Sequence, residues 1–188
     1  MGSLVRNTAQ EPEVQQDEAQ YLTFLLGKEM FAFDILGIKE IIEYGELTNV
    51  PMMPEFIRGV INLRGAVVPV VDLSARFGRA VSMVTRRSCI VIIEVESEGE
   101  RQDIGVMVDS VSEVLEIPAA DIEPAPSFGV KIRAEFISGM GKVKDRFVII
   151  LNADKVLSVN ELAMLSEAGA GSDIMSTSDN PESSQDSA

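Results

Sequence analysis

The sequence predicts a mainly β chain folded as two small, related barrel-like subdomains. Two observations predict it. First, the chain repeats itself. Phe56-Ile57-Arg58-Gly59 leads to the apolar run Val67–Val71, which ends at Asp72, and Phe136-Ile137-Ser138-Gly139 leads to Phe147–Leu151, which ends at Asn152; the offset is a constant 80 positions. Upstream, Ile38-Lys39-Glu40-Ile41-Ile42 and Pro51 match Val111-Ser112-Glu113-Val114-Leu115 and Pro124 at an offset of 73. Second, the apolar residues fall in short β-branched runs divided by Gly and Pro, a pattern of small barrels rather than of a parallel sheet. Two tandem half-units suit a docking platform better than a catalyst.

The elements follow in order. Residues 1–19 are polar and without apolar period, and are predicted to be disordered. Tyr21–Leu26 and Met30–Phe33 flank Gly27-Lys28-Glu29 as a hairpin. Short helices are expected at Asp34–Glu40, Pro54–Arg58 and Leu73–Phe77. Ile57–Arg64 alternates, with Ile57, Gly59, Ile61 and Leu63 on one face and Arg58, Val60, Asn62 and Arg64 on the other. Val67–Val71 contains Pro69, which cannot donate to a ladder, so this strand is expected at an edge or a bulge. Ser88–Val95, Ile104–Val108, Ser112–Ile117 and Phe147–Leu151 are further strands, and charged Glu96–Asp103 is a hairpin tip. Asp154 could cap a final helix over Lys155–Glu167. From Gly169 to Ala188 the chain is again polar and expected to be disordered. The folded domain is thus placed at 20–168, with its subdomains at about 20–85 and 86–155.

Composition narrows the function. Hydrophobic residues make up 46%, enough for a sizeable core, and the net charge is −14. Most of that charge sits in the two ends: 161–188 holds six acids and no base, whereas 21–160 holds 20 acids against 15 bases. A nucleic-acid surface needs a basic face, so that class is disfavoured. The single cysteine, Cys89, permits no internal disulfide and reads as a small buried hydrophobe. The first residues carry no signal-peptide core, and Arg6 breaks the myristoylation pattern that Met1-Gly2 opens. No apolar run approaches a membrane span. The expectation is a cytoplasmic protein.

The chemistry on offer is sparse. The chain has no histidine, the commonest general base and metal ligand. It has no Cys/His cluster, no P-loop, no nucleotide-binding glycine fingerprint and no nucleophile elbow. Gly139-Met140-Gly141 reads as a turn. No catalytic residue, cofactor or metal site is assigned. The reading from another class is a carboxylate-dependent hydrolase. Its candidates, Glu94, Glu96, Glu98 and Glu100, lie on a solvated strand and its loop, and aromatics, at 5% without Trp, are poor for a sugar cleft.

The most suggestive polar segment is Asn62-Leu63-Arg64-Gly65. An arginine on the outward face of a strand, just before a glycine turn, offers a planar donor fork on a rigid base. From spacing alone, an ordinary surface arginine is the better reading. Glu40 has the same ambiguity, and Ile38 reads as core or contact. Phe128, in the stiff stretch Pro124-Ala125-Pro126-Ser127-Phe128, is either tucked under its own loop or an interface anchor.

Several spaced blocks, in order, resemble the CheW family of chemotaxis coupling proteins. They are Phe31-Ala-Phe-Asp-Ile-Leu-Gly-Ile-Lys-Glu-Ile41, Phe56-Ile-Arg-Gly-Val-Ile-Asn-Leu-Arg-Gly65, Val68-Pro-Val-Val-Asp-Leu73, Gly105-Val-Met-Val-Asp-Ser-Val-Ser-Glu-Val114 and Pro124-Ala-Pro126. The likeness runs from about Tyr21 to Leu165. It implies two five-stranded SH3-like barrels around a shared core, and an adaptor joining chemoreceptor cytoplasmic tips to the regulatory domain of the histidine kinase CheA. It implies receptor contacts at Ile38, Glu40, Asn62 and Arg64, and kinase contacts at Glu123, Ser127 and Phe128. Glu123 departs from the family, which often has a basic residue there. Gly59 and Val60 match the motif in a structural role. The same fold occurs in CheA itself, which needs a phosphotransfer histidine, and in CheV, which needs a receiver domain; about 30 residues follow Ser158, short of a receiver domain of roughly 100 residues. A stand-alone adaptor is the expectation, in a flagellar pathway or in one with pili or another output.

Overall fold

Strands that are apolar at every position belong where both faces are covered, and this chain is built around such strands. The computed structural model describes residues 18–126 and 132–158. Most of the two predicted tails, the predicted helix from residue 159 onward, and Ser127 and Phe128 lie outside the described residues.

The elements are β1 (Glu18–Leu26), β2 (Glu29–Asp34), β3 (Ile38–Glu43), β4 (Ile57–Leu63), β5 (Ala66–Asp72), α1 (Leu73–Arg76), β6 (Cys89–Ser97), β7 (Glu100–Val108), β8 (Ser110–Pro118), β9 (Ile122–Glu123), β10 (Ile137–Val143), β11 (Arg146–Leu151) and α2 (Ala153–Val156). One sheet has the order β8-β1-β2-β11-β10-β9 and the other β3-β6-β7-β5-β4. The first is called barrel A below and the second barrel B. In each, the chain leaving one edge strand crosses to the opposite edge. β8 runs on into β9, which pairs with β10, and the chain after β3 reaches Thr48, which exchanges two 2.9 Å backbone hydrogen bonds with Val60 of β4. Each sheet therefore closes on itself as five strands, the last bridged by the continuation of the first.

Alternation along the strands sorts side chains into three cores. Val68, Val70, Ile90, Ile92 and Met107 fill barrel B, and Tyr21, Ala32, Ile117, Val148 and Ile150 fill barrel A. The opposite faces of the same strands form the largest cluster, shared between the barrels: Phe31 and Phe33 of β2, Ile149 and Leu151 of β11, Val91 and Ile93 of β6, Ile104 and Val106 of β7. That arrangement explains why Ile90–Ile93 and Val148–Leu151 read as unbroken apolar runs. Phe24, Phe31, Phe33 and Phe136 are almost wholly buried, and truncating any one would cost about 3–5 kcal/mol.

The repeat is structural. β10 is β4 displaced by 80 positions and α2 is α1 displaced by 80. Asp72 N donates to Phe56 O at 2.7 Å, and Asn152 N donates to Phe136 O at 2.8 Å. Both hairpins carry an irregularity at the same place, between Ile57 and Gly59 and between Ile137 and Gly139. There the closing segment crosses. A Cβ on Gly59, whose φ is +145°, would stand 2.5 Å from Thr48 O, and one on Gly139 would stand 2.6 Å from Ile122 Cγ2. Only glycine fits beneath the crossing backbone.

Several sequence expectations change. The sheets do not follow the stretches 20–85 and 86–155: barrel A takes β1 and β2 from the first and β8 to β11 from the second. The reason is the parallel pairing of β2 with β11 and of β5 with β7, which no short hairpin loop can connect. The helix expected at Asp34–Glu40 is a single 3₁₀ turn, Ile35–Gly37, capped by Asp34, followed by β3; its β-branched isoleucines prefer the ladder with β6. Residues 54–58 hold a turn and the start of β4. Pro69 lies in a strand flanked on both sides, but the pairing with β7 begins at Val70, so the ring sits where that side of β5 is still open. The cap of α2 is Asn152, not Asp154: Asn152 Oδ1 accepts from Lys155 N at 3.1 Å.

Candidate functional site

β3 presents Lys39, Ile41 and Glu43 to solvent and half-buries Ile38, Glu40 and Ile42. Ile38 packs against the shared core, which leaves it partly accessible beside Glu40. The β4–β5 connection is a two-residue turn, Arg64-Gly65, with Leu63 opposite Ala66. Both turn residues are left-handed, at φ 51° and 89°, as the twist of a tight hairpin demands. Gly65 adopts this freely. Arg64 does so at a cost of about 1–2 kcal/mol. Asn62 Oδ1 accepts from Gly65 N at 2.9 Å and so braces the turn.

The strained turn aims Arg64 across the barrel seam. Its Nη1 lies 2.9 Å from Glu40 Oε1 and its Nη2 donates to Glu40 Oε2 at 3.1 Å. β3 and β4 are the two edges of barrel B, so this bidentate pair spans the closure. Arg64 remains 79% exposed and Glu40 24%. A pair this wet contributes at most about 1 kcal/mol to folding, less than the turn strain can cost. Its product is orientation: a guanidinium held flat at the surface, with donors left over for a partner. Arg64 is thus a turn residue rather than one on the outward face of β4, as its alternation suggested.

The surroundings are mixed. Lys39 Nζ bridges Glu94 Oε2 at 2.8 Å and Asp103 Oδ1 at 2.6 Å, and its pKa is raised by hydrogen bonds to Asp103 and then Glu94. Arg101 joins Glu94 at 3.3 Å. Leu36, in the 3₁₀ turn before β3, is 90% exposed, and Ile41 and Val67 are exposed as well. These apolar positions were not singled out from sequence. The signal existed in β3, where strand alternation puts Lys39, Ile41 and Glu43 outward, but reading the segment as helix hid it.

Ile38, Glu40, Asn62 and Arg64 therefore come together on barrel B. Glu123 lies apart from them, on β9 of barrel A, exposed and paired through its backbone with Met140. Ser127 and Phe128 lie outside the described residues. Among the described residues, no group of three or more His, Cys, Asp or Glu is placed to hold a metal ion, and no helix is long and apolar enough to cross a membrane.

Residues 20–161 match the model of the CheW-like domain. The chain is 36% identical over 146 residues to chemotaxis protein CheW of Klebsiella aerogenes, covering 78% of this chain and 86% of that protein. It is 29% identical over 142 residues to protein FrzA of Myxococcus xanthus, covering 74% and 86%. Among solved structures it is similar to the scaffolding protein TtCheW from Thermoanaerobacter tengcongensis, with a TM-score of 0.69, 36% identity, and coverage of 76% of this chain and 94% of that one. Two closed five-stranded barrels around a common core, matched over nearly the whole described chain, place it: the chain belongs to the CheW-like family of non-catalytic chemotaxis scaffolding proteins.

Proposed function

We propose that this protein is an adaptor that joins chemoreceptor cytoplasmic tips to the regulatory domain of a CheA-type histidine kinase. The receptor face is Ile38, Glu40 and Arg64 on barrel B, with Asn62 as the brace of the turn. The kinase face is Glu123 on barrel A, together with Ser127 and Phe128 a few positions further along the chain. The observation that carries the reading is the left-handed Arg64. Backbone strain persists where the surroundings impose it and clusters at functional positions, and here it holds an exposed guanidinium fork on Glu40. A receptor tip is a helical hairpin, whose carboxylates and backbone carbonyls suit such a fork, while the half-buried Ile38 and the exposed Ile41 and Leu36 offer apolar surface on the same barrel. The protein works in the cytoplasm and reaches the membrane through its receptor.

The test is a pair of titrations with purified protein, one with a receptor helical-hairpin fragment and one with the kinase regulatory domain, followed by mixing of all three. Saturable binding to each and a ternary complex are expected. Failure to bind either partner overturns the reading.

A further inference from the structure

The hairpin and helix of barrel B recur in barrel A at an offset of 80 positions, and one residue breaks that repeat where the two meet. Arg76 ends α1 and Val156 ends α2, at equivalent positions of the repeat. Arg76 Nε donates to Val156 O at 3.0 Å. Its guanidinium carbon lies 5.2 Å from the ring centroid of Phe56 and 4.9 Å from that of Phe136, and those rings are also equivalent at the offset of 80. Arg76 thus binds its own counterpart and lies between a pair of counterpart rings. The chain beyond α1 continues onto barrel A. Phe77 lies 5.7 Å from Phe31 and 6.2 Å from Phe136, and Arg79 pairs with Glu29 while lying 6.0 Å over Phe31. In return, Asp154 of α2 accepts from Glu96 N of barrel B at 3.2 Å. α2 thus reaches barrel B, and the chain just beyond α1 reaches barrel A.

An apolar interface is non-directional and tolerates sliding. A guanidinium between two rings, donating to one carbonyl, has a defined plane and a defined donor direction. We propose that Arg76 is a positioning residue that sets the angle between the barrels. It thereby fixes where the Glu40–Arg64 face stands relative to the Glu123 face. The functional half of this inference rests on the adaptor reading above. Arg76 touches neither partner; it makes binding at one face register with binding at the other.

The test uses Arg76→Met, which keeps an unbranched stem and loses the charge and donors, and Arg76→Lys, which keeps the charge and loses the planar fork. Spin labels at Gln102→Cys on barrel B and Lys142→Cys on barrel A, both exposed strand positions, are introduced in a Cys89→Ser background. Double electron–electron resonance then reads the inter-barrel distance without any partner. Arg76→Met is expected at least to double the width of the distance distribution, and Arg76→Lys to widen it less. Affinities for the receptor fragment and for the kinase domain, each alone, stay within twofold, whereas receptor-dependent control of kinase activity falls at least tenfold. An unchanged distribution in folded Arg76→Met overturns the proposal, as does a parallel loss of either binary affinity. If Arg76→Met does not fold, Arg76→Lys decides by the same two criteria. A wild-type protein that binds neither partner removes the adaptor reading and leaves the distance measurement to judge the positioning role.

Discussion

Arg64 shows how much one residue can announce and conceal. Its place before Gly65 marked it as a candidate, yet the sequence suggested a strand face where the structure has a turn. Nothing local distinguishes the two, because turn placement depends on which residue of β5 faces Leu63. Arg64→Gly separates strain from function. Glycine adopts φ 51° without penalty, so folding stability should hold or rise by up to about 1 kcal/mol in a urea melt, while receptor binding falls. A loss of both would mark Arg64 as a structural residue. Arg64→Glu places a like charge against Glu40 and should weaken receptor binding by about 1–3 kcal/mol in a titration. Titration behaviour is also set residue by residue. Tyr21 has its pKa raised from 10.0 by burial and then by Asp34, and Lys39 has its pKa raised from 10.5 by its carboxylate partners. Both raised values mean stability that is present in full below the unfolded pKa and lost as pH climbs through the folded one. The melting temperature should therefore decline from about pH 10 upward, and Tyr21→Phe should soften the early part of that decline.

At the scale of elements, the repeated motif explains itself through the crossing segments. Gly59 and Gly139 were legible as a repeated feature, but their cause was not, since the clashing atoms come from Thr48 and Ile122 in distant parts of the pattern. Gly59→Ala meets a backbone oxygen and a left-handed φ, so it should destabilise by on the order of 2–4 kcal/mol. Gly139→Ala meets the Ile122 Cγ2 branch at 2.6 Å, with the nearest backbone oxygen at 3.2 Å and no left-handed φ to adopt, and should cost less. Equilibrium urea unfolding of both variants checks the order; equal costs would contradict the crossing account. The caps differ in the same graded way. Asp72 Oδ1 accepts from Ser74 N, Ala75 N and Ser82 Oγ, and its Oδ2 from Ser82 N, whereas Asn152 accepts from Lys155 N. Asp72→Ala should therefore destabilise by about 2–4 kcal/mol and Asn152→Ala by about 1 kcal/mol. β3 is hidden in the sequence because Asp34 signals a helix start, and that signal serves one 3₁₀ turn.

At the scale of the molecule, the two-barrel architecture was readable because the repeat brings two copies of one hairpin and helix. The interleaving was not, because the parallel pairings of β2 with β11 and β5 with β7 join residues far apart in the chain, and local pattern carries no trace of them. The same topology puts the Glu40–Arg64 face on one barrel and Glu123 on the other, which is the arrangement an adaptor needs to hold two partners at once. An adaptor must couple those partners. The most direct test of that coupling is receptor-fragment control of kinase activity in a reconstituted mixture, with and without this protein. The account predicts that activity responds to receptor only when the protein is present, and that Arg64→Glu abolishes the response while leaving kinase-domain binding within twofold. A receptor response of equal size without the protein, or with Arg64→Glu in its place, would contradict it.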